Sequence, residues 1–359
     1  MTALKKRPRM ITTSILSRQP DPWQRELAQA ITEPLELLRL LELDPEQAPG
    51  AMAAARAFAL RVPRGFVRRM RRGDARDPLL LQVWPGAREL IEEPGFLSDP
   101  LAERAATRAP GLLQKYLGRA LLITTGACAV HCRYCFRREF PYELANGEGA
   151  RWQQAVGAIR ADESIEEIIL SGGDPLSLTN ARLRALSAAL HDVPHLRRLR
   201  IHTRTAIVLP ERVDTGLTNW LAALPWPTVV VLHCNHANEI DSEVRLAAER
   251  LRAAGATLLN QSVLLAGIND SVDALEQLSR ALWSARIMPY YLHMLDRVRG
   301  SAQFEVGEPR ARQLMGELAA RLPGYLLPRL VRESAGAPAK TMLAAAQWDM
   351  RHDPPQLEC

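Results

Sequence analysis

The chain has 359 residues, 47% of them hydrophobic, with 46 basic against 40 acidic side chains and a formal charge of +6. That length can bury the core of one large domain with an appendage, and no uncharged apolar run of about eighteen residues is present to cross a membrane. Five cysteines, an odd number, exclude a closed disulfide framework and point to a reducing, cytoplasmic setting.

In chain order, TALKKRPRM reads as a basic tail. Residues 22–27 (PWQREL) and 31–45 (ITEPLELLRLLELDP) read as amphipathic helices, with Trp23, Leu37, Leu38 and Leu41 as packing residues. RVPRGFVRRMRRGDAR, from Arg61 to Arg76, carries most of the excess charge. It reads as a helix-like, solvated face rather than a nucleic-acid surface.

A predicted strand at Arg119–Thr124 (RALLIT) feeds the run GACAVHCRYCFRREFPY, in which the thiols are spaced Cys128-x3-Cys132-x2-Cys135. Iron–sulfur clusters are held by cysteine thiolates and ordinarily take four. Three so close together leave one iron open to a small molecule. The competing zinc knuckle needs a second cysteine pair, and only Cys234 and Cys359 remain.

Strands are predicted next at Glu166–Gly172, Leu196–Thr203, Thr228–Cys234, Ala256–Leu265 and Ile287–Leu295, separated by helical patterns such as 180–192, 241–255 and 272–285. Alternation of this kind predicts an α/β protein with a parallel sheet. Functional groups in parallel α/β barrels gather at the strands' C-terminal ends. Polar residues fall there: Ser171-Gly172-Gly173-Asp174, His202-Thr203-Arg204, His233-Cys234-Asn235-His236, Asn260-Gln261-Ser262, then His293 and Asp296. The glycine pair can present backbone N–H groups to a charged ligand, although a plain turn explains it as well. Arg137 and Arg138 can each grip a carboxylate or phosphate, or balance thiolate charge.

Only four lysines occur, Lys5, Lys6, Lys115 and Lys340; the other 42 basic residues are arginine. Only lysine offers a deprotonatable amine for a Schiff base. Lys340 in ESAGAPAKTM sits in a Gly-, Ala- and Pro-rich loop near the chain end, and a surface lysine is the plain alternative.

The cysteine spacing with Tyr134 before the third thiol, followed one strand later by SGGDPL, resembles the radical S-adenosylmethionine (SAM) superfamily. FALRVPRGF, PGLLQKY, CAVHCRYCFRREFPY, NHANE, LLNQSVLL, MPYYLHMLD and GYLLPRL, then RES and the lysine, narrow the resemblance to the lysine 2,3-aminomutase family, in its elongation factor P β-lysylation branch. It implies an incomplete (β/α)6 barrel over 111–305, an N-terminal helical region over 1–110 and a C-terminal segment, 306–359, carrying a lysine for pyridoxal phosphate (PLP). A [4Fe–4S] cluster on Cys128, Cys132 and Cys135 would bind SAM near Ser171, Gly172, Gly173 and Asp174. By the same resemblance Lys340 holds PLP, Lys115 and Arg119 contact its phosphate, and Gln261 lies beside it. Arg137 pairs with the substrate α-carboxylate, and Asp296 and Glu333 read the distal amine of free lysine, Glu333 standing where dedicated lysine mutases have aspartate. An external electron donor and a functional link to elongation factor P and its ligase are also implied. No structural zinc is expected, because Ser271 stands where zinc-holding relatives carry cysteine. A mutase for another amino acid, or a radical SAM enzyme without PLP, stays as the alternative.

Overall fold

A computed structural model describes residues 21–145 and 150–345; the basic tail and Cys359 lie outside them. Ten strands form one sheet whose spatial order follows the chain: β1 (Thr107–Ala109), β2 (Leu112–Tyr116), β3 (Arg119–Thr125), β4 (Glu167–Gly172), β5 (Arg198–Thr203), β6 (Thr228–His233), β7 (Thr257–Val263), β8 (Met288–His293), β9 (Arg329–Arg332) and β10 (Thr341–Met342). From β3 to β9 every neighbouring pair is parallel. At the two edges β1–β2–β3 and β9–β10 are antiparallel.

Burial explains the pattern. Every residue of EIILSG in β4 is buried, as expected of a parallel strand covered on both faces. The helix Asn180–His191 buries Leu183, Leu186 and Leu190 against the sheet and is capped by the Thr179 hydroxyl. Asp241 caps Ser242–Ala253, which stops before Gly255 at φ +93°. Ser271 caps Val272–Ser284 by accepting from the Ala274 N–H at 3.2 Å.

All six strands expected from the sequence form. The parallel run nevertheless counts seven, because RLVR (β9) adds one after the helix Glu308–Ala319. Its four residues follow Pro328 and carry too little pattern to read as a strand. The Arg61–Arg76 stretch also differs from expectation: only Arg64–Val67 is helical. Arg69 donates to the Glu239 and Ile207 carbonyls at 2.5 and 2.9 Å, Arg61 to Leu27 O at 3.3 Å, and Arg64 pairs with Glu36. Arg68, Arg71, Arg72 and Arg76 remain exposed.

Trp23, Leu37, Phe66 and Leu79 share one apolar cluster with Ala129 and Val130 of the cysteine loop. The N-terminal helices therefore back that loop directly. At the other edge, Ala311, Leu314 and Leu318 pack with Leu292 and Leu330 under the chain end. No helix among the described residues is long and apolar enough to cross a membrane.

Candidate active site

The three thiols follow β3, free and partly exposed. Among the described residues no three His, Cys, Asp or Glu side chains converge on one metal ion; cluster ligands bind separate irons and must stand further apart. Burial pushes all three thiols up, Cys135 to about 11, so a cation bound at sulfur is what would deprotonate them. From behind, Glu89 takes Arg133 through two bonds of 2.8 and 2.5 Å and Arg138 at 2.8 Å.

The end of β4 lies flat against this loop. Gly173 N–H donates to Thr125 O at 2.7 Å and Asp174 N–H to Ala127 O at 2.8 Å. A Cβ on Gly173 would sit 2.4 Å from Ala127 O, and one on Gly172, at φ +125°, 2.5 Å from Thr125 O. The glycines therefore serve close approach, and of the pair expected to face a ligand the Gly173 N–H is spent on the loop, as is that of Asp174. The Asp174 carboxylate accepts from Thr203 Oγ1, Arg204 N, Thr205 N and Leu176 N at 2.7 to 3.0 Å, locking β5 onto β4.

From the cysteine loop a line of charges runs to the chain end. Arg137 Nε and Nη2 grip Glu103 bidentately at 2.7 and 2.8 Å, while Nη1 donates to Ser171 Oγ at 3.0 Å and Gly172 O at 3.3 Å. Glu103 also pairs with Lys115 Nζ at 3.2 Å, and Lys115 bonds Glu333 Oε1 at 2.9 Å. Glu333 Oε2 accepts from Lys340 Nζ. The last contact follows from hairpin register: Thr341 opposes Arg332, so the next residues outward, Lys340 and Glu333, face each other. The two lysines outside the tail thus share one carboxylate. Because Lys115 lies in β2 and Glu333 follows β9, the sheet curves until its edges meet through side chains.

Burial pushes Glu333 up, but the ammonium charges of Lys340 and Lys115 overcome it and hold the carboxyl at about 2. Burial, with Glu333 second, pushes Asp296 up to about 7. Burial and then Glu333, which its hydroxyl reaches, raise Tyr116. The Arg119 guanidinium lies 4.7 Å from the Tyr116 ring centre. Across the concave face Gln261 Nε2 lies 2.6 Å from His233 Nε2, and the His202 and His233 rings are 6.0 Å apart. Burial, then positive neighbours, holds His233 and His293 at about 3 and lowers His202. All three rings are neutral at pH 7. His202 Nε2 and His293 Nε2 are buried without a partner among the described residues, so the wall holds polar atoms for a bound group to satisfy.

Cys128, Cys132, Cys135, Ser171 and Arg137 therefore gather at one end of the line, and Lys115, Glu333 and Lys340 at the other. Glu103, the carboxylate between them, has no sequence signal beyond its place in DPLAER. Arg137, expected to pair with a substrate carboxylate, has four of its five N–H bonds engaged by protein.

A linked set of thiols, paired charges and a lysine amine defines an enzyme site rather than a binding module. No protein-family model matches the chain. It is 47% identical to the L-lysine 2,3-aminomutase of Escherichia coli (strain K12), over 93% of this chain and 97% of that protein. The Haemophilus influenzae L-lysine 2,3-aminomutase is 43% identical over 94% and 99%, and that of Clostridium subterminale 32% identical over 89% and 77%. A radical SAM methyltransferase from Sphaerobacter thermophilus overlaps at TM-score 0.44, with 17% identity, over 62% of this chain and 68% of that one. The chain belongs to the L-lysine 2,3-aminomutase family, isomerases that move an amino group within one molecule.

Proposed function

We propose that the protein converts L-α-lysine to β-lysine as a radical SAM, PLP-dependent aminomutase of the cytoplasm, its product serving modification of elongation factor P. The observation that carries this reading is the line Arg137–Glu103–Lys115–Glu333–Lys340, which ties the cysteine loop to a lysine amine within one concave site. The curved parallel sheet then acts as an incomplete barrel, backed by the helices between residues 22 and 67, with the β9–β10 segment supplying the amine.

Donor chemistry fits the groups involved. Three thiols match a [4Fe–4S] cluster that leaves an iron for SAM, and the unpaired His202 and His293 nitrogens with the Lys340 amine match a planar, heteroatom-rich cofactor such as PLP. When bound, these groups supply a hydrogen-abstracting radical and delocalisation of the resulting spin. The chain's residues bind and orient. Lys340 presents Nζ, and Glu333 keeps its proton within reach. Lys115 and Arg119 offer cations to a phosphate. Gln261 orients His233, and the neutral histidines line a site withdrawn from water. The Asp296 backbone carbonyl accepts from Val298 N–H at 2.7 Å, while its carboxylate accepts no hydrogen bond from protein among the described residues, which leaves the carboxylate open to the ammonium of a lysine substrate, with Glu333 beside it. Arg137 has one N–H left for a carboxylate unless Glu103 yields.

Anaerobic reconstitution with iron, sulfide, SAM, dithionite and PLP, followed by chromatography of products from lysine, glutamate and arginine, tests the assignment. β-Lysine from lysine alone is expected, and its absence from a sample loaded with iron and PLP overturns the reading. For the cellular role, elongation factor P from cells lacking this gene should lose the mass of one β-lysyl group; an unchanged mass removes that link.

A further inference from the structure

Behind the cysteine loop lies a buried polar cluster that neither the motif nor the line of charges uses. Its centre is Arg204, just beyond β5, whose Nη2 donates to Gln82 Oε1 at 2.7 Å and Glu239 Oε2 at 3.1 Å. Its guanidinium carbon stands 5.6 Å from the Tyr134 ring centre and 5.9 Å from that of Phe66. Nε and Nη1 are buried with no partner among the described residues.

Nearby acceptors are already taken. Gln82 Oε1 also receives Asn235 Nδ2 at 2.9 Å and the Tyr134 hydroxyl at 3.3 Å, while Glu239 Oε1 receives the N–H groups of Asn235 and His236 at 2.8 and 3.0 Å. What remains is sulfur, that of Cys132 or of Cys234, and the buried Cys234 thiol is turned to the His236 carbonyl at 3.4 Å. Cys132 packs against both the apolar cluster that contains Phe66 and the one that contains Tyr134, the same two rings that flank the guanidinium. A buried cation with idle donors is costly unless something negative completes it.

We propose that Arg204 tunes an iron–sulfur cluster held by the three thiolates: its Nε–H and Nη1–H donate toward the sulfur of Cys132, and its charge favours the reduced cluster. The proposal rests on the reading that Cys128, Cys132 and Cys135 hold that cluster. Reduction adds one electron, taken from an external reductant, and no proton, so the cluster gains one negative charge. A fixed positive charge and N–H donors at a ligand sulfur stabilise that state and raise the reduction potential. Arg204 acts through Cys132 and is a positioning residue, not one that touches substrate.

The test is an EPR-monitored redox titration of the full chain reconstituted with iron and sulfide, without SAM. Arg204→Gln, which removes the charge, should shift the midpoint to more negative potential at unchanged iron content. Arg204→Lys keeps the charge opposite Glu239, loses the planar fork, and should fall between. Should Arg204→Gln fail to fold, Arg204→Lys and a labelled sample decide. In protein carrying [15N-guanidino]arginine, pulsed EPR of the reduced cluster should show a nitrogen coupling that Arg204→Lys lacks, beside any from Arg137 and Arg138 that both proteins share. Equal midpoints in wild type and the loaded variants, or a set of nitrogen couplings unchanged in Arg204→Lys, overturn the proposal. A shift that appears only after SAM is added also overturns it, because the arginine would then serve the carboxylate of SAM. If the unaltered protein takes up no iron, the cluster reading itself fails, a different result from equal midpoints.

Discussion

Glu89 and Glu333 each hold two cations, yet they do opposite work. Glu89, with its side chain 1% exposed, grips Arg133 and Arg138 behind the cysteine loop. Glu333, 13% exposed, holds Lys115 and Lys340, themselves 19% and 21% exposed. Arginine is always charged and its planar fork fixes geometry, whereas an ammonium is a point charge that can give up its proton. The loop side is held by planar forks out of reach of water, and the hairpin side holds two ammonium groups that solvent still reaches.

The largest test of that contrast is Lys340→Arg, which preserves the charge opposite Glu333 but removes the amine. Turnover should fall to the detection limit and the visible absorbance of lysine-bound PLP should vanish while the fold survives; retained absorbance would place the cofactor elsewhere. Next, Glu89→Ala leaves two arginines buried unpaired and should cost about 3–5 kcal/mol of stability by urea denaturation. Glu333→Ala should cost about 1 kcal/mol or less, because its partners are partly solvated. Equal losses would erase the distinction. Gly173→Ala forces a Cβ against Ala127 O and should cost about 1–3 kcal/mol, with iron uptake reduced by the displaced loop.

The smallest expected effect concerns Asp296. Its carboxyl rises from an ordinary 3.8 to about 7, so it is protonated below that in the ligand-free protein. Affinity for a cationic substrate should strengthen as pH rises through about 7, and Asp296→Asn should flatten that limb; an unchanged profile assigns it to another group. The same shift makes the Asp296 contribution to stability full below about 4 and lost as pH passes about 7.

Long buried strands were legible because parallel strands covered on both faces leave unbroken apolar runs, as in EIILSG. Short β9 and the β1–β2 hairpin were not, because three to five residues carry too little period to outweigh neighbouring Pro and Gly. At the site, thiol spacing and the scarcity of lysine pointed to residues that the fold brings toward one another. Glu103, Tyr116 and Arg204 were invisible as partners, since each matters only through a contact made across the sheet or behind the loop. Gly172 and Gly173 have a second property that no sequence signal showed: β4 approaches the cysteine loop so closely there that neither position has room for a Cβ.

Strand order that repeats chain order has a temporal meaning. As the polypeptide leaves the ribosome, each parallel strand can dock on the edge just laid down, and the thiol loop is already housed while the terminal hairpin is still being synthesised. Of the residues in the line of charges, the Lys340 amine is thus the last to be made and the last to find its place.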